Sequence, residues 1–235
     1  MRKKQNGHGH HWSYEGEKGP KNWGNLSFDF ILCKEGKRQS PVNINTANTE
    51  RDFLPELFFN YDKIPLRMIN NGHTIQINCN KGHFLVYDTI RYELLQIHFH
   101  RKSEHTVDGQ HYDMEVQLIH RNEKGSILIV AVFLEVRQPN AAIEEIWKYI
   151  DEEEKPEFMV HGVFFDPVNL LPEDFRYYLY KGSTTVPGCD EGVTWIVMKE
   201  PVPISQQQIE EFELIFPDNF RPVQPLEGRI IKESK

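Results

Sequence analysis

The chain has 235 residues, 39% of them hydrophobic and 26% charged, with a formal net charge of -8. This is the size and balance expected of one soluble globular domain. No apolar run approaches the ~20 residues that span a bilayer, which excludes a helical membrane protein, and no basic patch or stripe offers itself to nucleic-acid phosphates. A small-molecule substrate remains compatible.

Residues 1–11 are polar and glycine-containing, with His8, His10 and His11 close together. They read as a flexible N-terminal arm, a solvated tail more than a metal scavenger, ahead of a domain over residues 12–235. No apolar h-region follows Met1-Arg2-Lys3-Lys4, so no secretory leader is visible in the chain as given; a trimmed leader and a cytosolic protein are the two readings. Residues 64–90 alternate apolar and polar between Asn-Gly, Lys-Gly and Asp-Thr breaks, the pattern of short antiparallel strands. Cys79 falls on the face of Ile75 and Ile77 and is expected to be a buried, inert thiol.

Residues 94–120 read as two adjacent strands that carry polar groups to one place. Alternation puts Gln96, His98 and His100 on one face of the first strand and Ile97 and Phe99 on the other. In the second, Val116 and Leu118 point to the core while Glu115, Gln117 and Ile119 share the opposite face. Asp108-Gly109 marks a hairpin turn between them. His-x-His on a strand projects two imidazoles side by side, and neutral imidazole is the usual zinc ligand, so this face is a candidate metal site.

Further along, residues 127–134 are apolar on both faces, as in a central strand buried on both sides. Ile143, Ile146, Trp147 and Ile150 then recur at helical spacing behind Asn140, a good N-cap. The acidic run at residues 151–154 reads as a solvated loop. Ser205 and Gln208 form a capping box ahead of a helical face of Ile209, Phe212 and Ile215.

Taken together, Gln96-Ile97-His98-Phe99-His100, Ser103-Glu104-His105-Thr106 and the Glu115-to-His120 run resemble the signature of the α-carbonic anhydrases. So do Trp12-Ser13-Tyr14 with Gly19-to-Gly24, Gln39-to-Ile44, Asn70-Asn71-Gly72-His73, residues 182–195 and Asn219-to-Pro225. The resemblance runs from about Trp12 to about Arg229. It implies a mainly β, single-domain α-carbonic anhydrase fold: a large twisted, mostly antiparallel sheet with a few short peripheral helices. The implied activity is reversible hydration of carbon dioxide to bicarbonate by zinc-bound hydroxide, with one zinc per chain.

The family holds its zinc with three histidines. His98 and His100 match the first two, but Gln117 stands at the third position. A carboxamide oxygen suits zinc less well than imidazole nitrogen, so the resemblance implies a weakened or absent metal. A two-histidine-one-carboxylate set of His98, His100 and Glu115 is the alternative ligand arrangement; His111 and His120 are poorly placed to help.

Other roles follow from the match. His73 corresponds to the histidine that shuttles protons, and Glu104 to the glutamate partnered by a catalytic threonine. That threonine is Thr185 when the segment is aligned without a gap, and Thr184 when the alignment is anchored on the threonine pair. Gln96, Glu115 and Asn219 correspond to residues that support the metal ligands. Ile119, Ile129, Thr184, Val193 and Trp195 line the substrate pocket, and Tyr14 and Val186 fall in the solvent network. Cys33 and Cys189, both in loop-like segments, match positions bridged in many secreted and bacterial members. That bridge favours a trimmed leader and a secreted or periplasmic protein. The competing reading is a metal-free carbonic anhydrase-related binding or storage protein with a protein partner.

Overall fold

The computed structural model describes residues 12–235; the histidines at positions 8, 10 and 11, and the proposed arm, lie outside the described residues. A 13-stranded sheet organises the chain. Its central strands run in the spatial order Ile64–Asn70, Ile75–Asn78, Ile90–His100, Met114–Arg121, Ile127–Val136, Glu191–Met198 and Tyr177–Ser183. Most neighbours are antiparallel, with parallel pairs where Ile127–Val136 meets Glu191–Met198 and Val202–Ile204.

Alternation sorts side chains onto two cores. Ile97, Phe99, Val116, Leu118, Val130 and Val132 are fully buried on one side. Ile119, Ile129, Ala131, Phe133 and Trp195 pack in a second cluster on the other. Strand Ile127–Val136 contributes to both, which is why its sequence shows no polar face.

Two short helices cover the first core. Asn140 caps Ala141–Trp147, its side-chain oxygen accepting from the N–H groups of Ala142 and Ile143. A capping box between Ser205 and Gln208 opens Gln206–Glu213, and the Trp147 indole donates to Gln208 O at 2.8 Å. Cap and staple satisfy groups that a helix end would otherwise leave unpaired.

One expectation needs correction. Asp108 and Gly109 do form a tight turn, with φ of 48° and 80°, but it joins Thr106–Val107 to Gln110–His111. These belong to a separate three-stranded sheet with Asn43–Ile44. The two central strands are instead connected by the excursion 101–113, because Ser103, Glu104 and His105 turn inward and are buried. Those three residues are thereby delivered to the site face.

Cys33 and Cys189 are bridged across 156 positions, although Cys33 sits in the one-turn helix Leu32–Glu35 and not in a loop. Cys79 packs partly buried against the first core, and burial pushes its thiol up to about 12.

Candidate metal centre and active site

Register decides which side chains meet. Gln117 lies opposite His98, Glu115 opposite His100 and Ile119 opposite Gln96, all on the face away from the first core. The Nδ1–H of His100 donates to Asn219 O at 2.7 Å, which leaves Nε2 as the lone-pair nitrogen. That Nε2 is buried and unpartnered, as is the Nε2 of His98. Buried polar atoms nearly always find partners, so two unpartnered ring nitrogens two residues apart single this face out. Burial, with His100 next to it, lowers the His98 imidazole to about 3, so the ring is neutral, the form that binds a metal.

Gln117 commits its amide nitrogen to two buried carboxyl groups. Its Nε2 donates to Glu104 Oε2 at 2.8 Å and to Glu115 Oε1 at 2.9 Å. Glu104 Oε1 accepts from the Arg221 backbone N–H at 2.8 Å. Glu115 also accepts from the His105 backbone N–H at 2.9 Å and pairs with His105 Nδ1 at 3.0 Å. Burial alone would raise the Glu115 carboxyl; the His105 charge and the bonds from His105 and Gln117 hold it below the ordinary range.

The two-histidine-one-carboxylate arrangement is not formed. Glu115 is committed to His105 and Gln117, and among the described residues no group of three His, Cys, Asp or Glu side chains gathers to hold a metal. His111 bonds Ser103 O through Nδ1, and His120 bonds Tyr61 on the side of the first core. Neither reaches the His98–His100 face.

The second strand segment brings both threonines near the loop. Thr184 is spent on it: its hydroxyl accepts from the Asp190 N–H at 3.0 Å, and its own N–H donates to Asp190 O at 3.0 Å. Thr185 is buried, but no hydrogen bond joins its hydroxyl to Glu104 among the described residues. Ile119, Ile129, Val193 and Trp195 share one buried apolar cluster, while Val186 is half-buried beside the loop. The Gln39 amide donates to Cys189 O and the Arg221 guanidinium to Cys33 O, tying both bridged cysteines to the same end of the sheet.

At the rim, Trp12 stacks on His73 with ring centroids 3.7 Å apart. Asn219 reaches from His100 to this segment: its amide donates to His73 O and Phe99 O, both at 2.9 Å. Tyr14 is packed among aromatic rings, and burial followed by the Glu104 charge pushes its hydroxyl well above the ordinary range. Gln96 stands on the shared face but makes no hydrogen bond to His98 among the described residues.

Sequence reasoning gave no role to the relay behind Glu115, in which His105 Nε2 meets the Tyr180 hydroxyl at 2.7 Å and that hydroxyl meets Ser40 Oγ at 2.8 Å. The available signal was a tyrosine on a strand otherwise apolar inward and a histidine in the segment between two strands.

Comparison with known proteins shows the family and the fold. Residues 18–235 match the family model described as eukaryotic-type carbonic anhydrase. A carbonic anhydrase of Nostoc sp. is 39% identical over 226 residues, covering 95% of this chain and 86% of that protein. The structure of the α-carbonic anhydrase of Thermovibrio ammonificans in complex with the inhibitor sulfanilamide superposes with a TM-score of 0.92 at 42% identity, covering 95% of this chain and 99% of that one. Dioscorin, solved in complex with ascorbate, superposes with a TM-score of 0.89 at 29% identity over 95% and 97% of the two chains. The chain belongs to the carbonic anhydrase family, α type.

Proposed function

We propose that the chain catalyses the reversible hydration of carbon dioxide to bicarbonate with one zinc ion held by His98, His100 and the side-chain carbonyl oxygen of Gln117. The observation that carries this reading is the pair of buried, unpartnered Nε2 atoms on His98 and His100. Gln117 is compatible with it, because an amide that gives both N–H groups to carboxylates keeps its oxygen free as a donor. Zinc, when bound, supplies a water acidic enough to act as a nucleophile near neutral pH.

The protein's own residues supply the rest. Ile119, Ile129, Val193 and Trp195, with Thr184 at the edge, offer an apolar wall to a small apolar gas. Thr185 orients the attacking oxygen, and His73 carries the released proton outward, a task that suits an imidazole, which can both take and give a proton. Tyr14 and Val186 border the solvent path. Gln96, Glu115 and Asn219 hold the ligand side chains. Because a carboxamide replaces an imidazole, affinity and turnover fall below those of a three-histidine site. The disulfide is compatible with a secreted or periplasmic protein.

The test is zinc per chain by elemental mass spectrometry after loading and dialysis, alongside stopped-flow carbon dioxide hydration. About one zinc and measurable hydration support the proposal. Folded protein that takes no zinc overturns it and returns attention to a binding role.

A further inference from the structure

The two hydrogens on the Gln117 amide nitrogen have a consequence that a histidine at this position would not have. An imidazole that gives one nitrogen to a metal keeps a single N–H, enough for one acceptor; a carboxamide NH₂ keeps two. Here both are used: one reaches Glu115, the other Glu104.

Glu104 accordingly has its two oxygens engaged by the Gln117 amide and the Arg221 N–H, and no bond to Thr185 is formed among the described residues. Its Oε2 stands 3.7 Å from His100 Nε2, too far for a hydrogen bond, so it leaves that nitrogen available. From this we infer that Glu104 is a positioning residue for Gln117: with Glu115 it clamps the amide in one orientation, its nitrogen held between the two carboxylates.

Sterics and charge both favour the clamp. Flipping the amide would set its oxygen against two buried carboxylates at under 3 Å and discard two charge-assisted hydrogen bonds. A flexible glutamine is thereby made rigid, which a third donor must be if a two-imidazole site is to retain a metal.

This inference rests on the metal-site reading above, and the experiment separates the two. In metal-free protein labelled with ¹⁵N, both Gln117 side-chain protons should resonate downfield and exchange slowly with solvent, and Glu104→Gln should release one of them. A freely exchanging Gln117 amide, or one unmoved by Glu104→Gln, would overturn the clamp whether or not zinc binds.

The second measurement is a cycle of zinc affinities by chelator competition. Glu104→Gln should weaken zinc at least about 10-fold more in the natural chain than in the Gln117→His background, where the only remaining N–H faces Glu115. Equal losses in both backgrounds would mean that Glu104 acts on the metal through its charge or on the fold alone, and would sink the clamp. If the amide signature holds while zinc fails to bind, the clamp stands and the proposed function falls.

Discussion

The two faces of one strand pair, Ile90–His100 against Met114–Arg121, share a register and differ in everything else. On one face Ile97, Phe99, Val116 and Leu118 are wholly buried with every atom satisfied by packing. Across the same backbone His100, Glu115 and Gln117 are buried and His98 is half-buried, with two nitrogens unsatisfied. The first face also leaves one buried nitrogen without a partner, His120 Nδ1. On the second the two unpartnered nitrogens stand on one strand two residues apart, and that pairing, more than the presence of histidines, sets the face apart.

The comparison breaks most visibly on the core face. Phe99→Ala should cost about 3–5 kcal/mol of stability, since Phe99 packs edge-on to Trp147 with centroids 4.9 Å apart, yet leave the His98–His100 pair able to bind metal. Urea unfolding and zinc titration of this variant check both halves; loss of zinc binding in still-folded protein would show that the faces are not independent.

A smaller effect comes from His120, the one ionisable side chain sharing the face of Val116 and Leu118. Burial lowers its imidazole to about 4, against about 6.5 in an unfolded chain. The unfolded state therefore binds the extra proton between those values, and stability present above pH 6.5 is lost as pH falls towards 4, by up to about 3 kcal/mol. His120→Gln should lose less stability than the natural chain between pH 7 and pH 4.5, measured by unfolding midpoints.

On the site face, Gln117→His should tighten zinc by about 10–100-fold and raise the hydration rate. Chelator competition and stopped-flow assays read this directly, and an unchanged affinity would remove Gln117 from the ligand set. Smallest of all, Cys79 should stay unmodified by a thiol reagent at pH 8, where its thiol remains protonated, until urea exposes it.

Much of this was legible in the sequence. Period-two alternation assigned both faces of the strand pair, and Asn140 and Ser205 announced their helices, because each signal is local and acts within a few residues. The Asp108-Gly109 turn was also recognisable, but not which strands it joins: that depends on Glu104 and His105 being drawn inward to Gln117 and Glu115, 10 to 13 residues away. The shared hold on Gln117 was less accessible still. It depends on an amide one of whose acceptors, Glu104, comes from a separate loop and is itself held by Arg221 from the far end of the chain.

That last contact sets an order of assembly. Glu104 is fixed by an N–H 117 positions later, and the Arg221 guanidinium reaches back 182 positions to Gln39 and 188 to Cys33. A chain emerging from the ribosome from its N-terminus can lay down the strands bearing His98, His100 and Gln117 well before Arg221 exists. The pocket is therefore finished by its tail: the clamp's carboxylate lacks its backbone anchor until nearly all the polypeptide has been synthesised.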